Sequence, residues 1–151
     1  MTDAASRPLP LAGIRVLDLT TYIAAPFAAS LLADLGAEVV KVEPPGGDPI
    51  RGYPSTLPGE SRVFLGVNRG KRGVVLDLRR PEELAALLRL AERADVLLEN
   101  YRPGVAARLG LDSAALRAAN PGLVHLSLTG FGAGGPVAGR AGFDQVLQAM
   151  T

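Results

Sequence analysis

The sequence has no cysteine and no tryptophan, a single histidine, and aromatic residues at only 5% of its 151 positions. Without cysteine, neither a disulfide framework nor a thiolate zinc site can form. A lone histidine, His125, leaves a histidine-built metal centre without partners, and its place inside the strand-like LVHLSLT fits a structural role. The shortage of aromatics removes the stacking platform of a single-strand nucleic-acid binder. No apolar run reaches the length of a bilayer-crossing helix. Residues 1–10, MTDAASRPLP, lack the basic start and hydrophobic centre of a signal peptide. A net charge of +1 gives no global attraction to nucleic acid or membrane surfaces. These absences lead us to expect a cytoplasmic protein acting on small molecules, with no metal, nucleic-acid or membrane partner.

What is present is a core. Apolar residues make up 48% of the chain, enough for one domain with a sizeable interior. Residues 11–51, LAGIRVLDLTTYIAAPFAASLLADLGAEVVKVEPPGGDPIR, organise the rest. Residues 14–19 form a short apolar run of strand length. Pro26 suits a first helical position, and Phe27, Ser30, Leu31, Asp34 and Leu35 continue at helical spacing to Gly36, a C-terminal cap. EVVKVE, residues 38–43, is a second β-branched strand. Strand, helix, strand in about 30 residues is a βαβ unit, which requires a parallel sheet. Ligands of such sheets bind outside the carboxyl ends of the strands, here residues 20–25 and 43–48.

The alternation continues. Residues 44–62 hold five prolines and four glycines and read as one long loop. NRGKR is a basic turn, and residues 73–78 form a third strand. Pro81 opens a helix with Glu82 and Glu83 in its first turn and an apolar stripe at Leu84, Leu87, Leu88 and Ala91. Residues 95–99 form a fourth strand, followed by the NYRPG turn and a short helix over 105–109. A helix capped by Asp112 or Ser113 ends near Asn120 at Pro121 and Gly122. Residues 123–129 are a fifth strand, GFGAGGPVAGRA a glycine-rich loop, and residues 142–151 a last helix. The expected fold is α/β, a Rossmann-like parallel sheet flanked by helices.

A dinucleotide site requires glycines in the first βα turn. TTYIAAPFA has none, so the pyrophosphate of NAD has no close backbone approach there. The basic residues are better placed. Arg51, Arg62, Arg69, Lys71, Arg72, Arg79, Arg102 and Arg108 lie mostly in or near loops at strand ends. Arginine forks suit phosphate oxygens, so together these cations fit a polyanionic small ligand, although any one of them also fits a solvated, mixed-charge surface. Asp18 and Asp34 suit local hydrogen bonding. Asp144, at a helix start behind the glycine-rich loop, fits a dipole partner or a site residue. The glycine density of GFGAGG exceeds what a turn needs, which favours a functional reading of that loop.

Four segments now stand in order: residues 11–51, NRGKRGVVLDL, ADVLLENYRPGVAARLGL and LTGFGAGGP. In this spacing they resemble the N-terminal part of family III CoA transferases, which include formyl-CoA and carnitine CoA transferases and the α-methylacyl-CoA racemases. The resemblance covers residues 11–151. It implies that a Rossmann-like large domain binds coenzyme A, or acyl-CoA, as substrate. It also implies a second small domain and an interlocked homodimer in the full-length enzyme. It implies further that CoA moves between an acyl-CoA and a free carboxylate, an aspartate attacking the thioester and passing through anhydride and aspartyl-CoA thioester species. The family's CoA contacts fall on Tyr22, Ile23 and Ala24, on Leu76 with nearby Arg79, on Asn100 and Tyr101, and on Arg108, with Arg102 a further candidate. Pro44 stands where the family often has a basic residue.

The racemase branch carries a histidine in a motif that aligns here as AGFD, with Phe143 at the histidine position. Phenylalanine can neither donate nor accept the α-proton, so the transferase branch is favoured. The alternatives are a racemase-like enzyme and a non-catalytic CoA- or nucleotide-binding module. No residue here matches the nucleophilic aspartate, which the resemblance places in a later glycine-rich motif beyond Thr151. The expected organisation is therefore a flexible stretch at 1–10 and, over 11–151, the N-terminal part of the CoA-binding large domain. The small domain and C-terminal segment are absent, and catalysis by these residues alone is not expected.

Overall fold

The structure, a computed structural model, describes residues 8–151. Most of the flexible stretch expected at 1–10 lies outside the described residues. Five strands, β1 (Arg15–Asp18), β2 (Glu38–Glu43), β3 (Arg72–Val75), β4 (Val96–Glu99) and β5 (Val124–Ser127), form one sheet in the order β3-β2-β1-β4-β5. Every pairing is parallel. Chain direction across the sheet reverses between β1 and β4, which makes that junction the topological switch point.

Helices cover both faces. On one face α1 (Ala24–Asp34) sets Ala29, Leu32 and Ala33 against Val16, Val39 and Leu98. On the other, α3 (Pro81–Ala91), α4 (Val105–Arg108) and α5 (Ser113–Ala119) enclose Leu17, Leu19, Val42 and Leu97. The two-residue period of a strand sends alternate side chains to the two cores, so Val16 and Val39 enter one core and Leu17 and Val42 the other. Gly36 ends α1 as its cap, with φ of 100°, and a Cβ there would lie 2.5 Å from Leu9 Cβ.

β2 spans its expected residues, while the other four strands are shorter than the sequence suggests, because pairing ends where the apolar run still continues. The segment expected to be loop throughout 44–62 contains a 3-10 turn, Pro49–Gly52. It is followed by a helix that the sequence did not signal, α2 (Arg62–Val67). Ser61 caps α2 by accepting from Phe64 N–H, and Ser30 Oγ of α1 donates to the Val67 carbonyl at 2.6 Å. Tertiary packing against α1 makes this helix, since six residues are too few to hold helical structure alone. A final helix, α6 (Asp144–Met150), follows the glycine-rich loop. The loop closes on itself where Gly130 and Gly142 meet, and a Cβ on either would sit 2.4 Å from the other's Cα. Among the described residues, no helix is long and apolar enough to cross a membrane.

Candidate functional site

The site grows from the turn between β1 and α1. Thr20 and Thr21 leave β1 at the switch point, and Tyr22 has φ of 67°, the only non-glycine positive φ among the described residues. An aromatic residue in this region costs about 1–3 kcal/mol, so the surroundings must enforce it. They do so through side chains from three other elements. The Asn100 amide, following β4, accepts from Thr21 N–H at 2.9 Å and donates to the Thr21 carbonyl at 2.8 Å. Lys41, from β2, donates to the Thr20 carbonyl at 2.7 Å, and Asp48 accepts from Tyr22 N–H at 3.2 Å. Asp18 completes the set by accepting from Thr20 N–H at 3.0 Å and from the Thr20 hydroxyl. A turn without glycine is thus shaped from outside.

Beneath it lies a balanced set of buried charges. Lys71 donates to Asp18 (2.7 Å), the Pro26 carbonyl (2.8 Å) and the Asn68 amide oxygen (2.9 Å). Burial pushes the Lys71 ammonium below its ordinary value, and the Asp18 carboxylate opposes that shift. Lys41 Nζ lies 3.0 Å from Asp48 Oδ2, with both side chains almost wholly buried. Arg51 grips Glu43 with two bonds of 2.7 and 2.8 Å while stacking over Phe64, and Glu43 also accepts from Asp48 N–H. The Arg51 hydrogen bond holds the Glu43 carboxyl below its ordinary value despite burial, and Glu43 raises Arg51 in return. Three cations meet three carboxylates, so this part of the interior carries no net charge.

Above the turn, α1 begins at an uncompensated end. Ile23 supplies no side-chain cap and the first turn holds no acidic residue, so the positive end of the helix dipole faces outward. On the opposite core, Glu99 accepts from Tyr101 N–H at 2.7 Å, and the Tyr101 phenol, half-buried beside Glu99, is pushed up to about 12. It stays neutral at any working pH. His125 Nδ1 is 2.9 Å from Ser113 Oγ and its Nε2 is 3.9 Å from Glu99, so the histidine serves the α5 face of the sheet. Phe143 ahead of α6 meets Tyr22 edge-on, ring centroids 5.6 Å apart.

The structure thus gathers Tyr22, Ile23, Ala24, Asn100 and Tyr101 around the switch point. Arg102 and Arg108 follow β4 in sequence, and neither pairs with a carboxylate among the described residues. Arg108 lies back against Gly104. Leu76 and Arg79 stand further off, beyond β3 and on the far side of β2. The idea of a general cation pool at the strand ends needs correction. Arg51, Arg69, Lys71, Arg72 and Arg79 are committed to Glu43, Asp34, Asp18, Glu38 and Asp77 respectively. Two bonds from Arg79 hold the Asp77 carboxyl at about 2. A hollow of about 300 Å³ lies within the loop after β2, lined by Arg51, Tyr53, Ser55, Leu57 and Glu60. It neighbours the switch point without forming part of it. Sequence reasoning passed over Lys41 and Asp48. The available signal was a lysine between valines in a strand buried on both faces, which demands a partner.

A parallel sheet in this order, with the turn after β1 clamped to Asn100, accompanies a match over residues 11–151 to the model of CoA-transferase family III. The chain belongs to this family. It is 44% identical over its full length to a succinate–glutarate CoA-transferase of Agrobacterium fabrum, covering 40% of that protein. It is 48% identical to a probable fatty acyl-CoA transferase of Mycobacterium tuberculosis, over 93% of this chain and 36% of that one. The crystal structure of a CAIB/BAIF family protein from Brucella suis superposes with a TM-score of 0.90 at 40% identity, covering 95% of this chain and 39% of that one. The chain therefore spans well under half the length of these family III relatives.

Proposed function

We propose that this chain is the CoA-binding portion of an enzyme that moves CoA between an acyl-CoA and a free carboxylate. The observation that carries this reading is the switch-point turn, rigidly held and followed by an uncapped helix start, in a chain that matches a CoA-transferase family along residues 11–151. In the reaction, an aspartate attacks the thioester carbonyl and CoA leaves as thiolate. The thiolate then attacks the resulting anhydride, releasing the first carboxylate and leaving an aspartyl-CoA thioester for the acceptor. None of the 151 residues matches that aspartate, so the reading assigns it to the part of the family's length this chain does not span. The same reading makes 11–151 one part of the large domain and the whole enzyme an interlocked homodimer.

The residues present have the tasks of binding and orientation. Helix α1 directs its positive end at phosphate oxygens, Arg102 and Arg108 offer uncommitted guanidinium forks, and Tyr22, Ile23, Ala24, Asn100 and Tyr101 line the approach. Leu76 and Arg79 belong to the far rim, and Arg79 must release Asp77 to reach a phosphate. Phe143 packs against Tyr22 and brings no acid–base group, which disfavours the racemase reading.

Arg108→Ala tests the binding role. It should weaken CoA by about 1–3 kcal/mol, the scale of a charge-assisted hydrogen bond, as measured by calorimetry. Unchanged affinity removes Arg108 from the site. A hydroxylamine-trappable adduct on Asp144 after incubation with acyl-CoA would show that the nucleophile has been misassigned.

A further inference from the structure

We propose that Asp48 is a positioning residue that sets the CoA-binding turn through its hydrogen bond to Tyr22 N–H. The proposal rests on the CoA-binding reading of that turn. Its ground is the set of side-chain partners along the turn backbone. Thr20 N–H and C=O go to Asp18 and Lys41, Thr21 N–H and C=O to the Asn100 amide, and Tyr22 N–H to Asp48. Only the last bond acts on the residue whose backbone is left-handed.

Asp48 is itself tightly held. Its side chain is fully buried, Oδ1 also accepts from Ile50 N–H at 3.2 Å, and Oδ2 faces Lys41 at 3.0 Å. Its own N–H donates to Glu43, which Arg51 fixes in turn. The loop after β2 therefore reaches across the end of the sheet and grips the turn after β1. Glycine would adopt this backbone unaided, whereas tyrosine must be held there. The external acceptor substitutes for the glycine that phosphate-binding turns ordinarily use.

Removing the carboxylate alone would strand the Lys41 charge, so the test neutralises both partners. Lys41→Met/Asp48→Asn keeps an acceptor for Tyr22 N–H, and Lys41→Met/Asp48→Ala removes it. Calorimetry with CoA on the 151-residue chain should show the alanine form binding about tenfold more weakly than the asparagine form. The two should melt within a few degrees of each other (about 1 kcal/mol apart). Equal affinities would overturn the proposal. Amide hydrogen exchange on the unmodified chain gives an arm independent of both CoA and any variant. Tyr22 N–H should be protected on the order of 100-fold relative to an open loop. Exchange at open-loop rates would overturn the proposal even if an alanine form failed to fold. Protection of Tyr22 with no CoA binding by the unmodified chain would instead sink the CoA reading and leave the clamp standing.

Discussion

The middle of the sheet and its β5 edge are built differently. At β1 and β2 both faces are covered, and even the charged residues Asp18, Lys41 and Glu43 are buried with partners. At β5 one face packs through His125 on α5, while Val124, Leu126 and Leu128 on the other remain 60%, 45% and 41% exposed. Helix α6 buries none of its residues. Polarity thus gives a poor guide to depth in this molecule. Its most deeply placed ions lie under the candidate site, and some of its most open side chains are aliphatic. An exposed edge strand with an apolar face favours association, so the β5 edge is where the chain should self-associate.

The contrast can be broken most sharply from the buried middle. Asp18→Asn leaves Lys71 buried without its carboxylate and should cost about 3–5 kcal/mol in urea unfolding, whereas Arg72→Ala at an exposed pair with Glu38 should cost at most about 0.5. Leu97→Ala in the centre of β4, fully buried, should cost about 2–5 kcal/mol, against about 0.5 or less for Leu126→Ala on β5. Equal losses at Leu97 and Leu126 would mean that the open face is covered in solution, which light scattering would reveal as association.

Acid provides the next test. Glu43 is held below its ordinary 4.5, so its contribution is complete above about pH 4.5 and is lost as pH falls through the folded value. Glu43→Gln should therefore flatten the acid limb of a pH-stability curve, as followed by circular dichroism. The smallest effect belongs to α6. Phe143→Ala removes the edge-on contact with Tyr22, worth about 0.5–1.5 kcal/mol, and should speed proteolytic clipping near the α6 start without moving the main melting transition.

Much of the fold was legible because its signals are local. Valine-rich runs, Pro81, Gly36 and the Asp112 cap each act within a few residues of themselves, and all of the expected strands form, whereas α1 begins at Ala24, two residues before the Pro26 expected to open it. The exceptions are instructive. Helix α2 owes its existence to α1, and RVFLGV has too weak a pattern to announce it. The candidate site was legible in its turn residues and in Asn100, but not in what shapes them. EVVKVE shows a buried lysine without showing that its partner is Asp48, seven residues on in a loop. The pairing of Arg51, Arg69, Lys71, Arg72 and Arg79 was hidden for the same reason, because four of the five partners lie 8 to 53 residues away.

The Asn100 clamp also has a consequence in time. Thr21 and Asn100 are 79 residues apart, so the turn cannot acquire its shape until β4 has been made and docked beside β1. Loop closure over that distance comes late relative to helix formation and to the β1–β2 pairing. A ribosome that has released only the first βα unit has released every residue of the turn and none of its final geometry. The candidate site is therefore among the last parts of this sheet to mature. Any substitution that delays β4 should prolong a period in which the strands exist and the site does not.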